Sequence, residues 1–241
     1  MQLADVLGHF QVFGGLSNDA ILLLDEQGRV LASNDRARSL FGYTETEFAG
    51  LTLFNIRAPS TREALAQNLA QAMQPGGSVF ETWNQRKDGS IFPVEVSART
   101  VLLEDGKVRL GLVRDITERV KNHHTMRSLM TAIEQAAETV VITDVDGTIR
   151  YCNPAFEKIT GYTAAEVVGQ KPSVLKSGKH DGVFYGNLWD TIRQGKVWSG
   201  HFTNRKKDGA LYEEEATISP IVLTRLVWAR SACSCSARLR S

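Results

Sequence analysis

The sequence is poor in the features that mark secreted, membrane-spanning and nucleic-acid-binding proteins. Its 241 residues include only three cysteines, too few for a disulfide framework, which favours a reducing cytoplasm. The longest strongly apolar run, residues 21–24, is far shorter than the ~18 residues that a membrane helix requires. The net charge of +1 predicts neither direct nucleic-acid binding nor attachment to an anionic membrane surface.

Signatures of catalysis are also absent from the sequence. It contains no Walker-type glycine-rich loop, no nucleophile elbow and no His-Glu-x-x-His motif. Cys233 and Cys235 have too few partners for a structural zinc site, which takes four ligands. We therefore expect a protein that is not itself an enzyme and that has neither catalytic residues nor a metal site.

What the sequence does contain is an internal repeat. A shift of 119 residues superimposes eight identical residues within positions 16–50, and a shift of 120 superimposes a second block. The first set pairs Asp25, Gly28, Asn34, Gly42, Tyr43, Thr44, Glu47 and Gly50 with Asp144, Gly147, Asn153, Gly161, Tyr162, Thr163, Glu166 and Gly169. The second pairs Asn84, Lys87, Asp88, Gly89 and Glu95 with Asn204, Lys207, Asp208, Gly209 and Glu215. A period near 120 residues is the size of a small domain, so we infer two copies of one fold.

Each copy has the same predicted order of elements. A short hairpin turns at Gly28 or Gly147, and Asn34 or Asn153 then caps a short helix. A helical middle follows, and after it a long hairpin that turns at an Asp-Gly pair. Two strands, short helices and then antiparallel strands are the order of an α+β fold.

The segment between the copies, residues 117–137, contains neither Gly nor Pro. An apolar stripe at helical spacing is formed by Val120, Met126, Met130, Ile133 and Ala137. We therefore predict a helix here. It could be a rigid spacer packed on its neighbours or a dimerising coiled coil that carries a signal, and the heptads are too few to choose between them.

The repeated motifs resemble those of the PAS family of sensor domains. They read Asp-x-x-Gly-x-(apolar)-x-x-x-Asn, Gly-Tyr-Thr-x-x-Glu-x-x-Gly and Lys-Asp-Gly-x-x-(aromatic), and the first copy closes with Arg-Asp-Ile-Thr at 114–117. The resemblance covers roughly residues 10–222. It implies two five-stranded antiparallel sheets, each with short helices on one side. Such domains bind a small molecule or cofactor, or simply pair, and pass a change to an attached effector.

The second copy resembles a narrower group, the flavin-binding PAS domains of the nitrogen-fixation regulator and the aerotaxis receptor. The matching stretches stand at residues 188–189, 198–200 and 204–212. The resemblance implies that Trp189 and Asn204 approach an FAD, with Trp198 nearby. A tryptophan ring can pack on the flat, apolar face of a flavin, and an asparagine can meet the donors and acceptors of its edge.

Particular residues of the second copy bear on three alternatives to a simple flavin site, namely blue-light chemistry, haem binding and an interior without a ligand. Pro172 stands where light-oxygen-voltage domains carry their adduct-forming cysteine, so blue-light thioether chemistry is not expected. Haem would need an axial histidine, and we expect His180 and His201 to face solvent instead. The alternative to flavin is that both tryptophans fill the core and that Asn204 orients the hairpin.

The resemblance ends at about Ile221. Residues 216–241 contain no Asp or Glu but four Arg. We therefore expect the second domain to lack its last two strands, although residues 222–227 would suit one strand. A truncated or frame-shifted gene is the preferred explanation, with a diverged tail as the alternative.

These patterns divide the chain into five parts. They are an N-terminal helix or cap at 1–9, a first PAS domain at 10–117, a helical signalling linker at 118–137, an incomplete second PAS domain at 138–221 and a diverged tail at 222–241. We predict a cytoplasmic, homodimeric sensory tandem that detects a small molecule, redox state or oxygen. It would signal to an effector such as a two-component kinase or a cyclic-dinucleotide enzyme. The alternative is a ligand-free module for interaction or dimerisation.

Overall fold

The computed structural model describes residues 2–104, 106–221 and 232–239 of the chain. The chain divides into two compact units, Met1–His124 and Thr125–Ser241, and each contains one five-stranded antiparallel sheet. Two sheets with short helices confirm the predicted repeat of one α+β fold. Within the described ranges, no helix has the length and apolar character needed to cross a membrane.

The first unit begins with helix α1 (Leu3–Gly14), followed by the hairpin of β1 (Ala20–Leu24) and β2 (Val30–Ser33). Its short helices are α2 (Asp35–Phe41), α3 (Glu45–Phe48), α4 (Leu53–Ile56) and, after a 3-10 segment at Pro59–Ala64, α5 (Leu65–Gln71). Three long strands complete it, namely β3 (Ser78–Gln85), β4 (Ile91–Leu103) and β5 (Gly106–Asp115). The sheet order is β2-β1-β5-β4-β3, so the last strand lies in the middle.

The second unit repeats this order. Helix α6 (Thr117–Gln135) begins in the first unit, ends in the second and leads into the hairpin of β6 (Thr139–Thr143) and β7 (Ile149–Cys152). The helices are α7 (Pro154–Thr160), α8 (Ala164–Val167), a 3-10 segment at Pro172–Leu175 and α9 (Gly182–Arg193). The remaining strands are β8 (Trp198–Arg205), β9 (Leu211–Ile221) and β10 (Ala232–Leu239), in the sheet order β7-β6-β10-β9-β8.

Strand β10 corrects the expectation that the second domain lacks its last strands. It pairs with β6 on one side and with β9 on the other, the position that β5 holds in the first sheet. A strand is held by backbone N–H and C=O groups, which nearly every residue type supplies. A segment without sequence likeness to the first copy can therefore fill the centre of the sheet. The strand suggested at 222–227 lies outside the described residues.

Local sequence sets the bounds of the equivalent helices α2 and α7. Asn34 and Asn153 are their N-caps, as predicted. Gly42 and Gly161 end them with φ of 77° and 79°, left-handed conformations that glycine adopts without the steric cost of a Cβ. The two helices thus begin and end for the same physical reasons.

A buried asparagine fastens the leading helix to the first domain. The Asn34 side-chain oxygen accepts hydrogen bonds from the backbone N–H groups of Ile21 and Ala37, each at 2.9 Å. Its amide nitrogen donates to the backbone oxygens of Gly14 at 2.9 Å and Asp19 at 3.0 Å. One side chain therefore holds α1, β1 and α2 together.

Asn153 makes the same set of bonds in the second domain. Its oxygen accepts from the backbone N–H groups of Val140 and Phe156, and its nitrogen donates to the backbone oxygens of Ile133 and Glu138. Ile133 lies on α6, 119 residues after the last residue of α1. Helices α1 and α6 are therefore equivalent, and each is fastened to the domain that follows it.

Candidate functional sites

The structure places the predicted flavin residues of the second domain at two different locations. Trp198 and Asn204 are buried and lie on the inner face of β8, six positions apart. Trp189 lies on α9 and is 41% exposed. Its ring packs near the β6–β7 turn, with Cη2 3.4 Å from the place that a Cβ on Gly147 would take. Two of the three residues are thus brought to the interior, and Trp189 stays at the edge.

Trp198 fills the space between β8 and α9. Its ring centroid lies 5.5 Å from that of Phe184 and 5.3 Å from that of Phe202, and its Nε1 donates to Asn187 Oδ1 at 3.2 Å. The indole lies against Gly200, where a Cβ would stand only 2.4 Å from Cη2. This position of the ring therefore requires glycine two residues along the strand.

Asn204 is paired with a buried carboxyl group. Its Nδ2 donates to Glu214 Oε1 at 2.7 Å, and each of the two residues is 7% exposed. Burial raises the pKa of Glu214 to about 7, and the hydrogen bond from Asn204 opposes this rise. No motif pointed to Glu214. The alternation along β9 could have done so, because Tyr212, Glu214 and Ala216 share one buried face.

His180 is not solvent-facing, contrary to expectation. Its ring stacks on Phe184 with centroids 4.1 Å apart, and its Nε2 accepts the backbone N–H of Thr203 at 2.8 Å. That nitrogen is occupied by the backbone, so this arrangement does not offer it as an axial haem ligand. His201 is exposed, as predicted.

The first domain contains a cavity of about 40 Å³ against the inner face of its sheet. Apolar side chains of β1, α4, α5 and the three long strands form most of its wall. The polar side chains in the wall are Arg57, Asn68, Asn84 and Arg109. Of these four residues the sequence repeat marked only Asn84, because no local pattern distinguishes Arg57, Asn68 or Arg109.

The buried side chains of the two domains differ in chemistry, although the two backbone arrangements are the same. Asn84 is the counterpart of Asn204 in the repeat, and it is also buried. The counterpart of Glu214 is Val94, which is fully buried in the apolar core of the first domain. The first sheet therefore has a hydrocarbon side chain where the second has a carboxyl group.

The family of the chain follows from a comparison with protein-family models. The model of the PAS domain matches residues 18–118 and 137–227. These ranges fall on the two repeats and cover well over half of the sequence, so the chain belongs to the PAS domain family. The second match extends to 227, past the boundary expected at 221.

Relatives with curated functions are signalling proteins. The chain is 36% identical over 92 residues to the nitrogen fixation regulatory protein of Klebsiella oxytoca, a match that covers 38% of this chain and 19% of that protein. It is 26% identical over 159 residues to the oxygen sensor protein DosP of Escherichia coli (strain K12), a match that covers 64% of this chain and 20% of that protein. The matches span about a fifth of these relatives. Family and relatives together give the chain a sensory role in signalling.

Solved structures to which the chain is similar include the PAS domain of an HTR-like protein from Haloarcula marismortui. It is 27% identical, with a TM-score of 0.41, and the match covers 47% of this chain and 94% of that one. An RNA-binding light-oxygen-voltage receptor is 14% identical with a TM-score of 0.42, and the match covers 92% of this chain and 95% of that one.

Proposed function

We propose that the chain is the sensory input of a larger cytoplasmic signalling protein and that its second domain binds a flavin. The effector would be a kinase or a cyclic-dinucleotide enzyme, since the chain itself is proposed to have no catalytic residues. Support comes from the resemblance at residues 188–212, from the regulatory relatives and from the few cysteines. The alternative, a ligand-free dimerisation module, predicts the same fold but no bound cofactor.

The observation that carries the flavin proposal is the buried amide of Asn204. One N–H of its amide is given to Glu214, and none of the described residues forms a hydrogen bond with its Oδ1. The oxygen and the second N–H suit the edge of an isoalloxazine ring, which carries both donors and acceptors. A bound flavin would supply two-electron redox chemistry. Trp189 lies at the edge of the domain, so the proposal rests on Asn204 and Glu214.

Glu214 would hold a proton near this edge. Because its pKa is about 7, the group changes protonation close to neutral pH, where an ordinary glutamate is fully ionised. The protonated carboxyl group can donate a hydrogen bond, whereas the carboxylate only accepts. The charge next to Asn204 can therefore change without a large change of pH.

We expect the purified full chain to be yellow, and Asn204→Ala to lose the colour because it removes the amide that the proposal places at the edge of the ring. The matched control is His201→Ala, an exposed residue on the same strand, which should keep it. Visible absorption, together with the flavin released per protein chain on denaturation, measures both. Circular dichroism must show that each variant is folded. A folded wild type that stays colourless after reconstitution with excess FAD rules the proposal out.

We also propose that α6 pairs with α6 of a second copy. None of its described side chains is buried, and Met126 and Leu129 are 63% and 57% exposed. They belong to the same helical face as the stripe predicted from sequence. Exposed apolar side chains aligned on one helix face are typical of a pairing surface.

Replacing Met126 and Leu129 by Glu should convert the dimer to a monomer. Four carboxylates would meet at the seam, and buried charge without a partner strongly destabilises an interface. The matched control is His124→Glu with Ser128→Glu, on the opposite side of the helix, which should leave the dimer intact. Sedimentation velocity distinguishes the species. A wild-type monomer, or a dimer that survives the first substitution, would show that α6 is only a spacer.

A further inference from the structure

Arg57 is a buried cation without a buried anion. It follows α4 and is 4% exposed. Its Nη1 donates to Thr82 Oγ1, and its guanidinium carbon lies 5.6 Å from the ring centroid of Phe80. In the parts of the chain that the structure describes, no carboxylate forms an ion pair with it. Burial lowers its pKa to about 10, the direction expected when burial of a cation is not compensated by an opposite charge.

The fold does not need a buried guanidinium at this position. In the second domain the equivalent residue is Lys176, because Arg57 forms a backbone bridge with Asn84 and Lys176 forms one with Asn204. Lys176 is exposed, with its Nζ 4.1 Å from the ring centroid of Tyr185. The same backbone arrangement is therefore made without burying charge. An unpaired buried charge weakens a fold, so its presence in the first domain calls for a reason other than stability.

The cavity beside Arg57 has positive but no negative side chains. Arg109 also lines it, and there is no Asp or Glu among the described residues of the wall. The Nη1 of Arg109 donates to the backbone oxygens of Asp25 and Glu26, at 3.4 and 3.2 Å. Its Nε is buried without a hydrogen-bond partner in the described structure. The wall thus offers N–H donors on two cations, beside the amides of Asn68 and Asn84 and a larger number of apolar side chains.

We propose that the first domain binds a small organic carboxylate, with the carboxylate on Arg57 and the carbon chain against the apolar wall. A guanidinium presents a planar pair of N–H groups that matches the two oxygens of a carboxylate. A volume of about 40 Å³ holds only a few water molecules, so the ligand has about two to four carbon atoms. This site is separate from the flavin proposed for the second domain and does not depend on it.

The test is thermal unfolding and calorimetric titration of the full chain with sodium acetate, propionate and butyrate. Propionamide, which has the shape of propionate without its charge, and sodium chloride and phosphate at equal ionic strength are the comparison solutes. At least one carboxylate should bind saturably and raise the unfolding temperature, and the amide and inorganic anions should not.

Two variants identify the group that recognises the carboxylate. Arg57→Met should weaken carboxylate binding at least about tenfold, because it removes a charged hydrogen bond, and should unfold at a higher temperature than wild type without ligand. Arg99→Met removes an exposed arginine of the same domain and should change neither the carboxylate affinity nor the unfolding temperature. The proposal is overturned if no carboxylate binds, if propionamide or phosphate binds equally well, or if Arg57→Met binds like wild type. Should Arg57→Met not fold, the comparison of propionate with propionamide on the wild type still decides.

Discussion

Glu214→Gln is expected to stabilise the second domain at pH 8 by about 3 kcal/mol and to remove most of the pH dependence of its stability. The folded chain holds the Glu214 carboxyl at a pKa of about 7, above its ordinary value of 4.5. The folded state therefore binds the proton more tightly than the unfolded state does. The stability that this tighter proton binding gives the second domain is fully present below pH 4.5 and is lost as the pH rises through 7. Glutamine resembles the protonated group, so it keeps the contribution at every pH.

Urea unfolding of both proteins between pH 5 and 8 measures this effect. Other shifted carboxyl groups do not obscure it: Glu47 and Glu166, with pKa values lowered to about 2 by hydrogen bonds from Lys87 and Lys207, change only in more acidic solution. Glu215→Gln, at the exposed neighbouring position, is the control and should leave the pH profile unchanged. A wild type whose second domain is equally stable at pH 5 and pH 8 would show that Glu214 is not a buried acid.

Asn153→Ala is expected to destabilise the second domain by about 3 kcal/mol. The substitution removes four hydrogen bonds from a fully buried side chain that links α6, β6 and α7. It also releases the end of α6, since the bond to Ile133 is lost. We therefore expect trypsin to cleave after Arg127 faster than in the wild type.

Asn153→Asp separates the two roles of this side chain. Aspartate can still accept the N–H of Phe156 as an N-cap, but it cannot donate to the backbone oxygens of Ile133 and Glu138. Both substitutions should increase cleavage of α6, whereas Asn122→Ala, at an exposed position of the same helix, should not. Unchanged cleavage in Asn153→Ala, with unfolding at the wild-type urea concentration, would mean that packing alone holds α6.

The features that sequence reasoning predicted correctly are those fixed by a few neighbouring residues. The Asn34 and Asn153 caps, their closing glycines and the linker helix depend on local backbone geometry, which residue type largely determines. Strand β10 was missed because pairing in a sheet uses backbone groups that carry no sequence signature.

The interiors were predicted less well, because burial depends on residues far apart in the chain. Trp189 is the most exposed of the three residues predicted to approach a flavin, and its exposure depends on which face of α9 the fold turns inward. Arg57 and Glu214 were not found at all. Each is an ordinary charged residue in sequence, and its chemistry comes from the side chains that the fold packs around it.

The asparagine anchors of the two domains bond only to backbone atoms. The backbone arrangement that these asparagines hold therefore does not depend on which side chains line each sheet. After a duplication, the interior of one domain could acquire a carboxyl group and that of the other an arginine, while the hydrogen bonds that attach each domain to its leading helix stay intact. A chain built in this way can carry two chemically different interiors on the same backbone arrangement, so that one polypeptide can recognise two different ligands.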